Sequence, residues 1–307
     1  MTAYLVRRLL FAVFVLWGAV TVVFLVLRLV PGDPAQLILG SDATQDELAQ
    51  LREQMGLDRP LVVQYGKYLA DVATLDFGDS YRYHRDAMGL VLDRFPATLQ
   101  LAAVAMVIGL VLGISLGVVA ALRVNRFADR VVSVFALLSQ SMPSFWIGIV
   151  FILVFARQLH WLASGGQGGL DRMILPGITL ALPFVAILIR LTRSGLLDVV
   201  HENYIQTARA KGLSERVVIF PHAIRNALIP IVTVAGLEFG KLLGGAVIVE
   251  TVFAWPGVGR LLIDSISARD YNVVQAAILL IAGGFVLINL IVDVLYGYLD
   301  PRIRLGR

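Results

Sequence analysis

Apolar residues run along this chain in long blocks, separated by short stretches rich in arginine or in carboxylates. Six blocks match the length of about 20 residues that a helix needs to cross a bilayer core: Leu9–Val30, Thr98–Leu122, Val131–Ala156, Met173–Leu191, Leu228–Val252 and Val274–Tyr296. Lipid offers no partner to backbone N–H and C=O groups, so each block is predicted to be a helix. Pro143, Pro176 and Pro183 fall inside or near the starts of two of them and predict kinks. The first block follows Arg7 and Arg8, is too long for a signal-peptide core and has no small-x-small site after it. It is expected to remain as the first span.

Composition supports the pattern. Of 307 residues, 58% are apolar and 16% charged, more apolar surface than one soluble core accommodates. The net charge of +4 comes from arginines in short loops and gives no sign of a nucleic-acid surface. With no cysteine, disulfides, thiolate metal sites and cysteine nucleophiles are excluded. Arginine asymmetry orients the spans. Arg7, Arg8, Arg123, Arg126, Arg130, the segment from Arg190 to Arg225, and Arg302, Arg304 and Arg307 mark the cytoplasmic side. The fold class is therefore an all-α integral membrane protein of six transmembrane helices with both termini cytoplasmic.

The first outer connection, residues 31–94, is acidic and patterned as a folded element: Thr44 with Glu47 forms a capping box for a helix ending near Gly56. Pro60 is predicted as the first residue of a second helix with Tyr65, Tyr68 and Leu69 on one face, and Leu75–Ser80 as a turn. The insertion serves either as a cap over the helices or as a docking surface for an outside partner. The expected division is residues 1–95, the first span with this extracytoplasmic helical insertion, and residues 96–307, a core of five spans.

The cytoplasmic connection between the fourth and fifth spans, about 198–226, carries the most information. Helix formers fill Asn203–Lys211, with Tyr204, Ile205 and Ala208 close together on one face, and Gly212 stands where a helix stops. Leu213–Ile224 predicts a second amphipathic helix, with Val217, Val218 and Phe220 against the bundle and Arg216 and His222 outside. Such a loop either lies on headgroups or presents a short helix to a cytoplasmic partner.

Gln206-Thr-Ala-Arg-Ala-Lys-Gly212 resembles the coupling loop of bacterial ABC-importer permeases, a Glu-Ala-Ala pattern followed by glycine. Aligned on Gly212, the pattern's glutamate is Gln206, its alanines are Thr207 and Ala208, and its acidic residue is Lys211. These departures, with Tyr204 before and His222, Arg225-Asn-Ala-Leu228 and Pro230 after, are similar to the peptide and nickel branch. Arg7-Arg8 leading to Pro31-Gly-Asp-Pro34 resembles the B-type subunit of dipeptide or oligopeptide permeases. Phe77-Gly-Asp-Ser80, Phe95-Pro-Ala-Thr98, Glu250-Thr-Val-Phe253, Trp255-Pro-Gly-Val-Gly-Arg260, Arg269-Asp-Tyr271 and Asp300-Pro-Arg302 fit the same branch, with Asn272 where proline is common. The resemblance implies a type I ABC importer permease fold in a bacterial or archaeal plasma membrane. It implies a pore shared with a C-type sister permease, two cytoplasmic ATPases that use ATP and magnesium, an extracytoplasmic solute-binding protein, and no cofactor in this chain. Tyr204, Gln206, Thr207, Ala208, Arg209, Ala210, Lys211 and Gly212 would then couple the ATPase to the bundle. Di- and oligopeptides are the expected cargo, with nickel complexes, haem or sugars as alternatives.

Other chemistry fits poorly. Gly240-Lys241 is followed by Leu242 and lacks P-loop spacing, and His201-Glu202 has Ile205 where a zinc helix needs histidine. Ser194-Gly195 has no nucleophile-elbow context. A secondary transporter would need internal repeats, which are not apparent, and a membrane enzyme would need a nucleophile or metal motif. Two groups of in-span polar residues are candidates for a translocation path. Glu238 and Lys241 share a helix face and either neutralise each other or meet a charged solute. Ser139, Gln140 and Ser141 lie beside the Pro143 kink. Asp293, near the end of the sixth block, is expected to snorkel or to pair with an arginine.

Overall fold

The computed structural model describes residues 2–29, 36, 43–54, 56–169 and 171–299. Pro31–Pro34, Asp300–Arg302, Arg304, Arg307 and the Asp293 side chain lie outside what is described. The elements are α1 (Thr2–Leu29), α2 (Gln45–Gln54), α3 (Leu61–Thr74), α4 (Ala87–Leu122), α5 (Phe127–Ser141), α6 (Ser144–Phe151) continued by a π-helical segment (Ile152–Gln158), and α7 (Asp171–Val200). After these come α8 (Asn203–Ala210), α9 (Glu215–Val217) running through a π-helical segment (Val218–Ile224) into α10 (Arg225–Val252), then α11 (Val258–Ser267) and α12 (Tyr271–Leu299). Five of these helices are long and apolar enough to cross a membrane, and the α5–α6 pair makes a sixth crossing if taken as one broken span.

That break corrects the continuous third span predicted for Val131–Ala156. A residue before proline is pushed out of the helical region. Met142 accordingly adopts φ −87°, ψ 136°, and Pro143 caps the next helix instead of kinking the first. The chain bends by 108° between the two halves. Pro176 and Pro183, by contrast, sit inside an unbroken α7. Pro60 is the residue before α3, one position ahead of its predicted place.

The chain forms two compact units. One comprises Met1–Pro96 with Gly257–Val286. In it α1 packs on α3 through Phe24, whose ring centroid lies 5.2 Å from Tyr65 and 5.5 Å from Tyr68. Tyr65 and Thr21 share a hydroxyl hydrogen bond of 2.6 Å. Burial pushes the Tyr68 phenol up to about 12, with Tyr65 adding to the rise. The capping box forms as predicted: Thr44 N–H donates to Glu47 Oε2 at 2.8 Å and Glu47 N–H to Thr44 Oγ1 at 3.3 Å. The turn after α3 needs left-handed backbone at Gly78, φ +74°, where a Cβ would also press on Asn272 Nδ2 at 3.3 Å. Asn272 Nδ2 donates to Asp79 O, and the Ser80 hydroxyl to the buried Asp270 carboxylate, so this turn is pinned to the start of α12.

The other unit comprises Ala97–Pro256 with Leu287–Arg307. Its core is centred on α7, whose Leu180, Phe184, Leu188 and Ile189 are buried among residues of α4, α5 and α10. Along α4, Gly113 and Gly117 face α7 so closely that an added Cβ would lie 2.5 Å from the Cβ of Leu188 and of Thr192 respectively. Gly109 abuts Phe184 in the same row. Glycines four apart allow two helix backbones to approach this closely in lipid.

Candidate functional site

The segment between α7 and α10 folds as a single small assembly in the second unit. Helix α8 begins after Glu202 and ends in a Schellman motif: Gly212 N–H donates to Arg209 O at 2.9 Å and Leu213 N–H to Ala208 O at 3.4 Å. That motif needs a left-handed residue at Gly212, which has φ +79°, and there is open space around its Cα. Arg209 Nε and Nη2 bind Glu215 Oε1 and Oε2 at 2.8 and 3.3 Å, clasping the two sides of the turn.

Ile205 is fully buried with Leu196, Val218, Ala223 and Ala227, and Ala208 packs at the edge of the cluster. Ala121 at the end of α4 joins it. Full burial of a residue such as Ile205 is worth roughly 1.5–3 kcal/mol. This apolar contact therefore fixes α8 to the ends of α4, α7 and α10. The outward face of α8 carries Tyr204, Gln206, Thr207, Arg209 and Ala210, followed by the exposed Lys211. Of the predicted apolar face, Ile205 and Ala208 turn inward, while Tyr204 is 42% exposed and accepts a hydrogen bond from Asn226 Nδ2 at 2.8 Å. An open groove of about 540 Å³ beside α8 is lined by Tyr204, Pro221, His222, Arg225 and Asn226.

The second amphipathic helix differs from its prediction. Val218 is buried as expected, but Val217 and Phe220 are exposed and Ala223 is the second buried residue. Pro221 has no N–H to donate, and it falls where the backbone widens into the π-helical segment. The widening shifts the buried positions, and a helix-period reading cannot register that shift.

The candidate path residues fall in two places. At the α5–α6 break Ser139 is turned into the core, 5% exposed, while Gln140 and Ser141 face outward. On α10 the Lys241 Nζ and Glu238 Oε1 atoms lie 2.6 Å apart, with the lysine side chain 65% exposed and the glutamate 13%.

Two buried polar contacts escaped the sequence reading. Arg193 of α7 grips Asp129 in the first turn of α5 with two bonds, 2.7 and 2.9 Å, and Asn125 N–H adds a third at 2.9 Å. Further along, the Thr98 hydroxyl donates to the fully buried Glu250 carboxylate at 2.6 Å, and Trp255 Nε1 donates to Ala97 O at 2.9 Å. Glu250 and Trp255 were visible only as motif letters, because their partners stand more than 150 positions away. The glycine row at 109, 113 and 117 was legible as a spacing of four.

Among the described residues no cluster of His, Asp or Glu could hold a metal ion. Two family models match the chain: "Binding-protein-dependent transport system inner membrane component" over residues 113–305, and the N-terminal part of the membrane component of such systems over residues 1–102. The dipeptide transport system permease protein DppB of Alkalihalophilus pseudofirmus is 42% identical, with 99% of this chain and 100% of that protein aligned. The glutathione transport system permease protein GsiC of Escherichia coli K12 is 43% identical, with 99% of each chain aligned. Among solved structures, the fold is similar to the MetNI methionine ABC transporter in an inward-facing form, with TM-score 0.58 and 19% identity over 69% of this chain and 97% of that one. An amino acid ABC transporter gives TM-score 0.52 and 18% identity over 70% and 94%.

Proposed function

Because this chain belongs to the family of inner membrane components of binding-protein-dependent transport systems, we propose that it forms one half of an ATP-driven import pore for short peptides and that α8 is its coupling helix. It is a multi-pass inner membrane permease of the ABC importer type, and it works with a solute-binding protein, an ATPase and a second permease. The observation that carries the coupling reading is the two-sided character of α8. One side is locked into the cluster around Ile205 and the other is exposed among the described residues.

An ATPase whose groove receives that outward face can move α8 as a rigid body. The apolar cluster then passes the motion to α4, α7 and α10 together, since packed interiors do not yield gradually. Gly212 and the Arg209–Glu215 clasp keep the helix short, so that displacement does not dissipate in a flexible loop. Two cytoplasmic ATPases and a C-type sister permease with its own coupling helix complete a pseudo-symmetric assembly. ATP and its magnesium ion are used by the ATPases.

The peptide cargo is supported by the dipeptide and glutathione permeases among the full-length relatives. Gln140 and Ser141 at the α5–α6 break and the Glu238–Lys241 pair on α10 are the residues we assign to the solute path. A short peptide carries an ammonium and a carboxylate, for which such polar groups supply hydrogen bonds and a matched charge pair. The test is uptake in proteoliposomes holding both permeases and both ATPases, with the binding protein supplied outside. Dialanine uptake that requires ATP and the binding protein is expected. Uptake of sugars or nickel complexes with no peptide uptake would overturn the cargo reading. ATP hydrolysis by this chain alone would overturn the division of labour.

A further inference from the structure

We propose that the unit formed by Met1–Pro96 and Gly257–Val286 contains a binding site for a small zwitterion, set among α1, α2, α3 and the start of α12 and separate from the solute path. A cavity of about 600 Å³ opens there, within the range of roughly 300–1,000 Å³ typical of small-molecule sites. Its wall carries three cations, Arg28, Arg59 and Lys67, and three anions, Glu53, Asp71 and Asp76. Among the described residues no ion pair joins any of these cations to any of these anions. A balanced set of charges held apart around a space is unlike the paired surface charges at Arg85–Asp93 or Arg209–Glu215.

Gln64, also on the wall, keeps an unused acceptor beneath its surface. Gln64 Nε2 donates to Leu57 O at 3.2 Å and to Arg59 O at 2.7 Å, which fixes the amide orientation. Its Oε1, pointing the other way, is buried without a partner. An unsatisfied buried carbonyl oxygen is costly and calls for an N–H donor. Burial holds the Asp71 carboxyl above its ordinary value; Lys67 opposes the shift and Asp76 adds to it. Asp71 is therefore a carboxylate that a second, closer cation would stabilise.

A lone cation would match only the carboxylates, and a lone anion only Arg28, Arg59 and Lys67. A molecule with an ammonium at one end and an anionic oxygen at the other satisfies both sets. Two sources have that chemistry. One is a free amino acid or short peptide. The other is the headgroup of an ethanolamine phospholipid, within reach because Arg28 stands in the last turn of the spanning helix α1. The proposal does not rest on the coupling reading, since all these residues lie in the other unit.

The experiment uses the full chain in nanodiscs. In discs of phosphatidylglycerol alone, dialanine is titrated calorimetrically against wild type, Asp71→Asn, Arg59→Gln and, as a control outside the cavity, Arg85→Gln. In discs that also contain phosphatidylethanolamine, native mass spectrometry counts the retained ethanolamine lipid for the same proteins. If the occupant is a free zwitterion, dialanine binds saturably, N-acetyl-alanyl-alanine amide binds at least about tenfold more weakly, and both cavity variants lose at least about tenfold. If it is a headgroup, wild type and Arg85→Gln retain the ethanolamine lipid and both cavity variants lose it. Should Asp71→Asn lower the unfolding midpoint, the exposed Lys67→Gln replaces it. Wild type and cavity variants behaving alike in both kinds of disc would overturn the proposal.

Discussion

Replacing Gly113 by alanine tests the packing that sets the position of α7, and with it of α8. The new Cβ would lie 2.5 Å from Leu188 Cβ and 3.3 Å from Val185 O, where carbon atoms normally rest about 3.5–4.0 Å apart. Leu188 Cβ is fixed to its own backbone and is fully buried, so no rotamer change relieves the contact. The helices must part by about 1 Å to restore that spacing, and overpacking of this kind costs about 1–3 kcal/mol. Alanine also gains up to about 1 kcal/mol of helix propensity over glycine, which blurs a single measurement. Gly244→Ala removes the ambiguity. It makes the same exchange inside α10 with nothing within 4 Å of the new Cβ. The propensity gain cancels between the two variants, and Gly113→Ala should be the less stable by about 1–3 kcal/mol. Reversible unfolding of the purified chain in mixed micelles by rising SDS fraction measures the difference. A Gly113→Ala protein as stable as Gly244→Ala would refute the close α4–α7 contact.

Three further outcomes are expected. Asp129→Ala strands the Arg193 guanidinium and should cost up to about 3 kcal/mol in the same unfolding assay, and the Asp129→Ala/Arg193→Ala pair should cost less than the sum of the single changes. Hydrogen bonds from Thr44, the backbone N–H first and then the hydroxyl, hold the Glu47 carboxyl below its ordinary value, so its contribution is present above the unfolded value of about 4.3 and is lost as pH falls through the lower folded value. Amide exchange across α2 should therefore quicken on acidification through that window, and Thr44→Val should weaken this pH dependence; equal profiles would dismiss the box. For orientation, the absence of native cysteine lets Asp58→Cys and Ser214→Cys be probed singly in whole cells with an impermeant thiol reagent, which should label the first and spare the second.

Much of this architecture is written locally in the chain. The apolar blocks, the Thr44–Glu47 box, the helix ending at Lys211 and the left-handed Gly212 all follow from interactions within a few residues, and sequence periodicity carries that information directly. The 108° break was harder, because Pro143 signals only that something must yield. Whether the helix kinks or stops depends on what the second half packs against, and Gly148 of α6 lies against Val252, the last residue of α10, and Phe253 just after it. The π-helical segment before α10 shifted the buried face by a fraction of a turn, so Phe220 emerged exposed although the pattern placed it inside. Between α7 and α10 the short helix was legible, but the division of its residues between the two faces of α8 was not. Ile205 and Ala208 are claimed by a cluster drawn from α4, α7 and α10, contacts that no local window contains. The Asp129–Arg193 and Thr98–Glu250 contacts were hidden for the same reason.

The central claim is that the outward face of α8 passes force from an ATPase to the bundle, and Ala210→Asp probes it most directly. Ala210 is exposed in this chain, so an aspartate there leaves the isolated fold and its abundance in the membrane unchanged. Within an ATPase groove the same carboxylate would be desolvated without a partner, at a cost of several kcal/mol. Gly212→Val is the companion change, adding about 1–2 kcal/mol of strain to a left-handed residue with open space around it. The measurement is the rate of ATP-driven solute uptake by the reconstituted complex, with binding-protein-stimulated ATP hydrolysis followed in parallel. The account predicts that uptake and stimulated hydrolysis fall together by at least about tenfold in both variants, while the unfolding midpoint of the purified chain stays at the wild-type value in Ala210→Asp and drops only by the strain of about 1–2 kcal/mol in Gly212→Val. Wild-type uptake by both variants at normal abundance would contradict it and leave α8 as a helix that only lies on the membrane surface.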